Sequence, residues 1–456
     1  MTGKQFFKKA AMLLACLAMV GFSQIAIPGS KAEAVNKIRI PVLGPSKFYP
    51  GQYQWNAAVL TADLINRQGG VNVGGQKYML DLVEIDTNDL LSVSDAVNAM
   101  ERACSMENAD FIIAGARSEA TLAMMDIAAD HKKIYLDVNS AHPNQIKRVK
   151  EDYDRYKYFF RISTIVDFTI ISYSLSDLDF VGQIIKKELG IEKVKVAVVL
   201  DKAAYADPLA GVAKGMLPAM GYELVGIWRP SYSAKDLFAE ASAVKTSGAQ
   251  LIWGVLSGPS GQAFVNAWSK LKVPAAYVGT VTDSQRHAFW KTTGGAANYI
   301  ASYDSIGRVD QSPTTIDFYD RYFERFGEKP GWGSPFVEGA LLALKDAIER
   351  AGTLDTEKVI VELEKTDLIF SNGRLKFGAK DSDLPHQVPY GEGYRSLVSF
   401  QWRDGKQLIY FPAAAPLNKV IYAKSPQSHY LEKLKFKGTV DYQLPPWMVD
   451  YWKKNQ

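Results

Sequence analysis

Residues 194–228 read VKVAVVLDKAAYADPLAGVAKGMLPAMGYELVGIW, and their pattern decides the fold. Val194 to Leu200 is apolar apart from Lys195, the mark of a strand covered on both faces rather than one. After it, Leu209, Val212, Met216 and Met220 recur three and four apart, which is one stripe of a helix. Leu224 to Trp228 returns to strand character. A buried strand, a helix and a second strand in close succession make a right-handed βαβ unit. Such units build parallel sheets with helices on both sides.

The rhythm continues in both directions. Downstream, a helix is expected over Lys235 to Lys245, a strand over Leu251 to Leu256, a helix near Phe264 to Leu271 and a strand over Ala276 to Gly279. Upstream, strands Ile38 to Gly44, Tyr78 to Asp86, Phe111 to Gly115 and Ile134 to Val138 alternate with helices. Those helices carry Trp55, Ala58, Ala62 and Ile65, then Val93, Val97 and Met100, then Leu122, Met125 and Ala129. Between Asn139 and Arg161 a charged segment, Lys147 to Lys157, interrupts the alternation before strand-like Tyr158 to Ile162. Further helices are read near Ile316 to Phe326 and through Val337, Leu341, Leu344 and Ile348. A hairpin follows at Leu397 to Trp402 and Leu408 to Phe411, turning on Asp404-Gly405. Two α/β halves of similar size imply two lobes. In open parallel sheets solutes bind outside the carboxyl ends of the strands, so a cleft between the lobes is the expected site.

Composition narrows the function classes. The 456 residues are 47% hydrophobic and 22% charged, with a net charge of +4, which excludes wholesale disorder and gives no global attraction to nucleic acid. Lys4, Lys8 and Lys9, the apolar run Ala10 to Val20 and Ala32-Glu33-Ala34 form the three-part layout of a secretory signal over residues 1–34. A competing reading makes Cys16 a lipoprotein processing site, with an anchored rather than a free periplasmic product. With Cys16 removed, Cys104 has no partner for an intramolecular disulfide, and its phase with Val97 and Met100 predicts a buried, inert thiol. The five histidines are scattered singly and read as surface or loop residues, not metal ligands. No phosphate loop, dinucleotide fingerprint, zinc-protease motif or nucleophile elbow occurs, so neither catalytic residues, nor a cofactor, nor a metal is expected. Trp447, Tyr451 and Trp452 are read as rings that pack the tail onto a lobe.

Several phrases carry a resemblance. Gly44-Pro45, the run Asp63-Leu64-Ile65-Asn66-Arg67-Gln68-Gly69-Gly70-Val71, the turn Asp86-Thr87-Asn88-Asp89 and Ile112-Ile113-Ala114-Gly115 resemble the type I periplasmic substrate-binding proteins of branched-chain amino acid ABC transporters. So do Val196 to Asp201 followed by Ala204-Tyr205, and the ending Pro445-Pro446-Trp447. The resemblance covers nearly the whole mature chain, Ile38 to Trp447. It implies two Rossmann-like α/β lobes with parallel sheets, joined by a three-segment hinge. The expected division is 35–164 and 302–370 for the first lobe, 165–301 and 371–420 for the second, and 421–456 for a tail. It also implies a small-molecule ligand, an ABC permease as partner and no turnover. The alternative keeps the fold but makes it a sensory module for a membrane signalling receptor.

Carried over by position, the resemblance implies ligand contacts from Phe48 and Tyr49, from Arg117, Ser118 and Glu119, and from Asn139, Ser140 and Ala141 in the first lobe. The second lobe would add Tyr205, Ser257, Gly258 and the turn from Thr280 to Asp283. Amino acid binders in this family hold the ammonium with an acidic residue on that last turn. Here the position is Val281, with Asp283 as substitute only if the loop is shifted. Arg117 is read either as a bidentate partner for a ligand carboxylate or as a rim residue, and Glu119 either as a cap on the following helix or as a contact. The ligand expected is an amino acid or another small carboxylate, aromatic ones included.

Overall fold

The computed structural model describes residues 36–106, 108–164 and 168–455. The signal read over residues 1–34, with Cys16, lies outside them.

The first sheet has six strands in the order Val71–Val73, Gln76–Asp86, Asn36–Gly44, Phe111–Ala114, Ile134–Asp137 and Phe159–Arg161. The last four run parallel. Their apolar continuity has a plain cause. Phe111 and Ile113 face one hydrophobic core, whereas Ile112 and Ala114 face another on the opposite side. The second sheet repeats this with Ala276–Val281, Leu251–Leu256, Lys195–Leu200 and Glu223–Trp228, all parallel. Val196, Val198 and Leu200 point into one core while Ala197 and Val199 point into its counterpart. Each such valine, leucine, isoleucine or phenylalanine contributes about 1.5–3 kcal/mol on burial, and a two-faced strand buries apolar surface on both sides.

Beside the second sheet lies an antiparallel one of Ala301–Asp304, Val398–Arg403 and Lys406–Phe411. The Val281 N–H donates to Ser302 Oγ at 3.0 Å and ties the two together. The hairpin turns on Asp404 and Gly405, both with positive φ (49° and 79°), the backbone that a two-residue turn between twisted strands requires.

The chain passes between the two bodies of core three times. Ile162 belongs to the first and Ile170 to the second; Tyr303 to the second and Ile306 to the first; Val388 to the first and Tyr390 to the second. The third passage lies beyond the 370/371 junction read from the sequence, because Leu375 and Phe377 also pack in the first core. From the tail, Ile421, Leu431, Tyr442, Leu444 and Met448 pack in the second. Trp447 and Trp452 donate their indole N–H groups to Val273 and Pro274 carbonyls at 3.0 and 2.6 Å, which fixes the last helix, Pro446–Lys454, on that lobe.

Three local readings need correction. The short strand Val71–Val73 pairs antiparallel with Gln76–Asp86, a hairpin the sequence reading did not pick out. The charged segment is helical, Pro143–Glu151 and Tyr153–Tyr156, with Ile146 and Val149 buried three apart under a charged outer face. His386 is neither a surface nor an exposed loop residue. It is fully buried, stacked on Phe160 with ring centroids 3.9 Å apart, and its ring nitrogens lie 2.9 Å from the Phe159 carbonyl and from Glu364. Cys104 is buried as expected, and burial pushes its thiol up to about 12.

Candidate functional site

A cavity of about 430 Å³ lies where the carboxyl ends of both parallel sheets converge. Each strand end feeds a loop into its wall. From the first sheet come Tyr49, Leu90, the run Ala116 to Glu119, then Asn139 and Ala141, and Thr164. From the second come Lys202, Ala203 and Tyr205, then Ser231 to Ser233, Ser257, and Thr282 with Gln285. Tyr303 and Trp332 complete the wall.

Of the residues expected at the site, Tyr49, Arg117, Ser118, Glu119, Asn139, Ala141, Tyr205 and Ser257 line this one cavity. Ser140, Gly258, Asp283 and Phe48 do not, and for the first three the reasons are physical. Ser140 turns inward: its N–H donates to Asp137 at 3.3 Å and its hydroxyl accepts from Gln145 at 2.8 Å. Gly258 caps the helix Pro259–Lys270, and a Cβ there would stand 2.5 Å from the Tyr232 carbonyl. Its bareness lets Tyr232 close in. Asp283 faces Arg286 at 3.7 Å instead of the cavity, and the Arg286 guanidinium sits 5.4 Å from the Tyr49 ring centroid. Burial raises the Asp283 carboxyl, with Arg286 opposing.

Two buried carboxylates set the loops. Asp201, just past the strand Lys195–Leu200, accepts from the Ser257 N–H (2.6 Å), Ser257 Oγ (3.1 Å), Ser260 Oγ (2.6 Å) and the Tyr205 hydroxyl (3.2 Å). One fully buried side chain thus positions both second-lobe residues on the wall. Asp137, at the end of its strand, holds the first-lobe loops from behind the wall through Ser140 and Ser163. Burial pushes Asp137 up to about 6 against the pull of Arg161, and raises Asp201 against its four donors.

The charges on the wall are few. Arg117 donates through Nε to Glu119 at 3.2 Å, and its two terminal nitrogens have no partner among the described residues. Glu119 also accepts from the Ala204 N–H at 3.4 Å, reaching across from the first lobe to the second. Glu119 is the acidic residue of the wall, and both its oxygens are engaged. Val281, where an ammonium partner was expected, is wholly buried in core. Five rings, Tyr49, Tyr205, Tyr232, Tyr303 and Trp332, line the remaining surface.

Tyr232, Tyr303, Lys202 and Trp332 were not anticipated. Lys202 and Tyr232 stand after strands Lys195–Leu200 and Glu223–Trp228, so the rule of carboxyl-end loops reaches them. Trp332 stands in a Gly-Trp-Gly phrase before a helix, a weaker signal.

Comparison with known proteins agrees with this architecture. A curated relative from Pseudomonas aeruginosa, named an amino acid binding protein, is 23% identical over 88% of this chain and 97% of its own length. The isoleucine complex of the substrate-binding protein LivJ from Streptococcus pneumoniae superposes with a TM-score of 0.65 at 17% identity, covering 82% of this chain and 98% of that one. A solute-binding protein of an ABC transporter from R. palustris, in complex with 4-hydroxybenzoate, gives 0.65 at 18% identity over 82% and 95%. The family described as periplasmic binding protein matches residues 38–393, and the chain belongs to that family.

Proposed function

We propose that this protein is an exported receptor that traps a small organic carboxylate without an ammonium group, an aromatic acid in the first instance, and delivers it to an ABC permease without chemical change. The observation that carries the choice of ligand is the charge balance of the wall: Arg117 and Lys202 beside five rings, against a Glu119 whose oxygens are both engaged. An ammonium ion buried there would have to compete with Arg117 for Glu119, and a buried charge that is only partly compensated costs free energy. A carboxylate gains charge-assisted hydrogen bonds to the free nitrogens of Arg117, each contributing about 1.5–3 kcal/mol. A planar ring adds roughly 2–3 kcal/mol on burial among the tyrosines. Together these approach the −8 kcal/mol of a micromolar complex. A neighbour in structure holds 4-hydroxybenzoate, which is consistent, and the names of its neighbours favour transport over sensing.

Thermal denaturation of the mature protein against a panel of amino acids and aromatic acids tests this. Benzoate or a hydroxybenzoate at a hundredfold its Kd should stabilise by about 2.7 kcal/mol, with leucine and isoleucine silent. Stabilisation by amino acids alone would overturn the ligand class.

A further inference from the structure

A second cavity, of about 400 Å³, stands apart from the cleft and shares no wall residue with it. It lies beside the passage in which the chain crosses from Tyr303 of the second core to Ile306 of the first. Tyr319, Phe400 and Trp402 supply aromatic walls; Lys329 and Lys406 supply charge, beside an Arg308 that is paired with both oxygens of Asp320 at 2.8 Å, and no residue of the wall is acidic.

A buried group there is incompletely satisfied. Lys329 is 6% exposed, and its ammonium, which has three N–H donors, makes one hydrogen bond among the described residues, to Asp304 at 2.9 Å. Its other close neighbour is the Phe400 ring, whose centroid is 5.2 Å away. The Tyr319 side chain is half-buried, and its hydroxyl, which is open to solvent, makes no hydrogen bond among the described residues. Buried polar groups in native proteins are generally paired, so the donors that the buried Lys329 ammonium has left over on this wall point to an acceptor that the protein itself does not supply.

We propose that this cavity binds a small anion carried on a planar apolar body, with Lys329 and Tyr319 as its hydrogen-bond donors and Phe400 and Trp402 against its flat part. The position gives such an anion influence over the cleft. Tyr303 and Asp304 are successive residues of one strand, so their side chains leave on opposite faces. Tyr303 lines the cleft, and Asp304 holds the Lys329 of the second cavity. An anion that draws Lys329 toward itself loads the same strand that presents Tyr303, and the coupling is reciprocal.

The test uses phenyl phosphate as probe, titrated calorimetrically into the full mature chain, with inorganic phosphate for comparison. Phenyl phosphate should bind, and inorganic phosphate at least tenfold more weakly for want of the ring. Tyr319→Phe should weaken phenyl phosphate at least threefold. The paired change Lys329→Met with Asp304→Asn, which leaves no lone buried charge, should abolish it. Phenyl phosphate is itself an aromatic anion of the kind proposed for the cleft, so every titration is made with the cleft saturated by whichever solute of the thermal panel stabilises the protein most. Failure of the wild type to bind, or binding indifferent to Tyr319→Phe, would each overturn the proposal. If the paired variant does not fold, as judged by circular dichroism, Tyr319→Phe and Lys406→Ala decide in its place. None of these readings depends on which solute the cleft takes.

Discussion

Asp201 shows how much a single side chain settles. A carboxylate has acceptor sites for about four donors, and here Ser257 gives two while Ser260 and Tyr205 give one each. Asp201→Asn halves that capacity, because the amide nitrogen cannot accept. The expected result is a fall of at least tenfold in solute affinity, read by calorimetry, with about 1–3 kcal/mol lost from unfolding stability for the stranded donors. Unchanged affinity would mean that Tyr205 and Ser257 are held by something else. The sequence showed Asp201 within a strand-end phrase but not its partners, since Ser257 lies in a different loop and Ser260 in the first turn of the helix that follows it. The same limit explains Ser140. Asn139, Ser140 and Ala141 look alike as loop residues, and it is the buried Asp137 and Gln145 that turn the middle one away from the cavity.

At the scale of elements, the parallel strands were legible because burial on both faces leaves an unbroken apolar run. The segment 147–157 was not, because its charges hide a narrow stripe formed by Ile146 and Val149. The edge hairpin at Val71–Val73 was missed for a related reason: three residues are too few to show alternation. Helix starts carry functional constraint as well. At the head of Pro259–Lys270, Gly258→Ala would push a methyl group against Tyr232. Overpacking of this kind costs about 1–3 kcal/mol. The Tyr232 loop should shift outward, so that both the melting temperature and the solute affinity drop. A variant with normal melting and normal affinity would show that the Tyr232 loop yields without consequence.

At the scale of the whole molecule, stability responds to pH through carboxyls buried far from solvent. Asp177, held by Tyr410 and Ser399, and Glu338, which accepts from the Ser371 N–H, are both pushed by burial up to about 7. Their folded values lie above the unfolded ones. The native state therefore keeps protons that the unfolded chain has already lost, and their contribution to stability declines as pH rises from about 4 to about 7. The melting temperature of the wild type relative to Asp177→Asn should accordingly fall between pH 5 and pH 8. A difference that stays constant with pH would remove Asp177 from the explanation. On the same scale, Glu119 meeting the Ala204 N–H and Arg286 lying over Tyr49 join opposite walls of the cleft around its cavity. Closure of this sort sequesters a solute and presents one shape to a partner. The most direct measurement is a crystal structure of the mature protein saturated with the aromatic acid that stabilises it most. The account predicts that acid between the sheets, its carboxylate on Arg117 and Ser118 and its ring against Tyr205 and Tyr232. Density for the acid on one lobe alone, or outside the cleft, would contradict it.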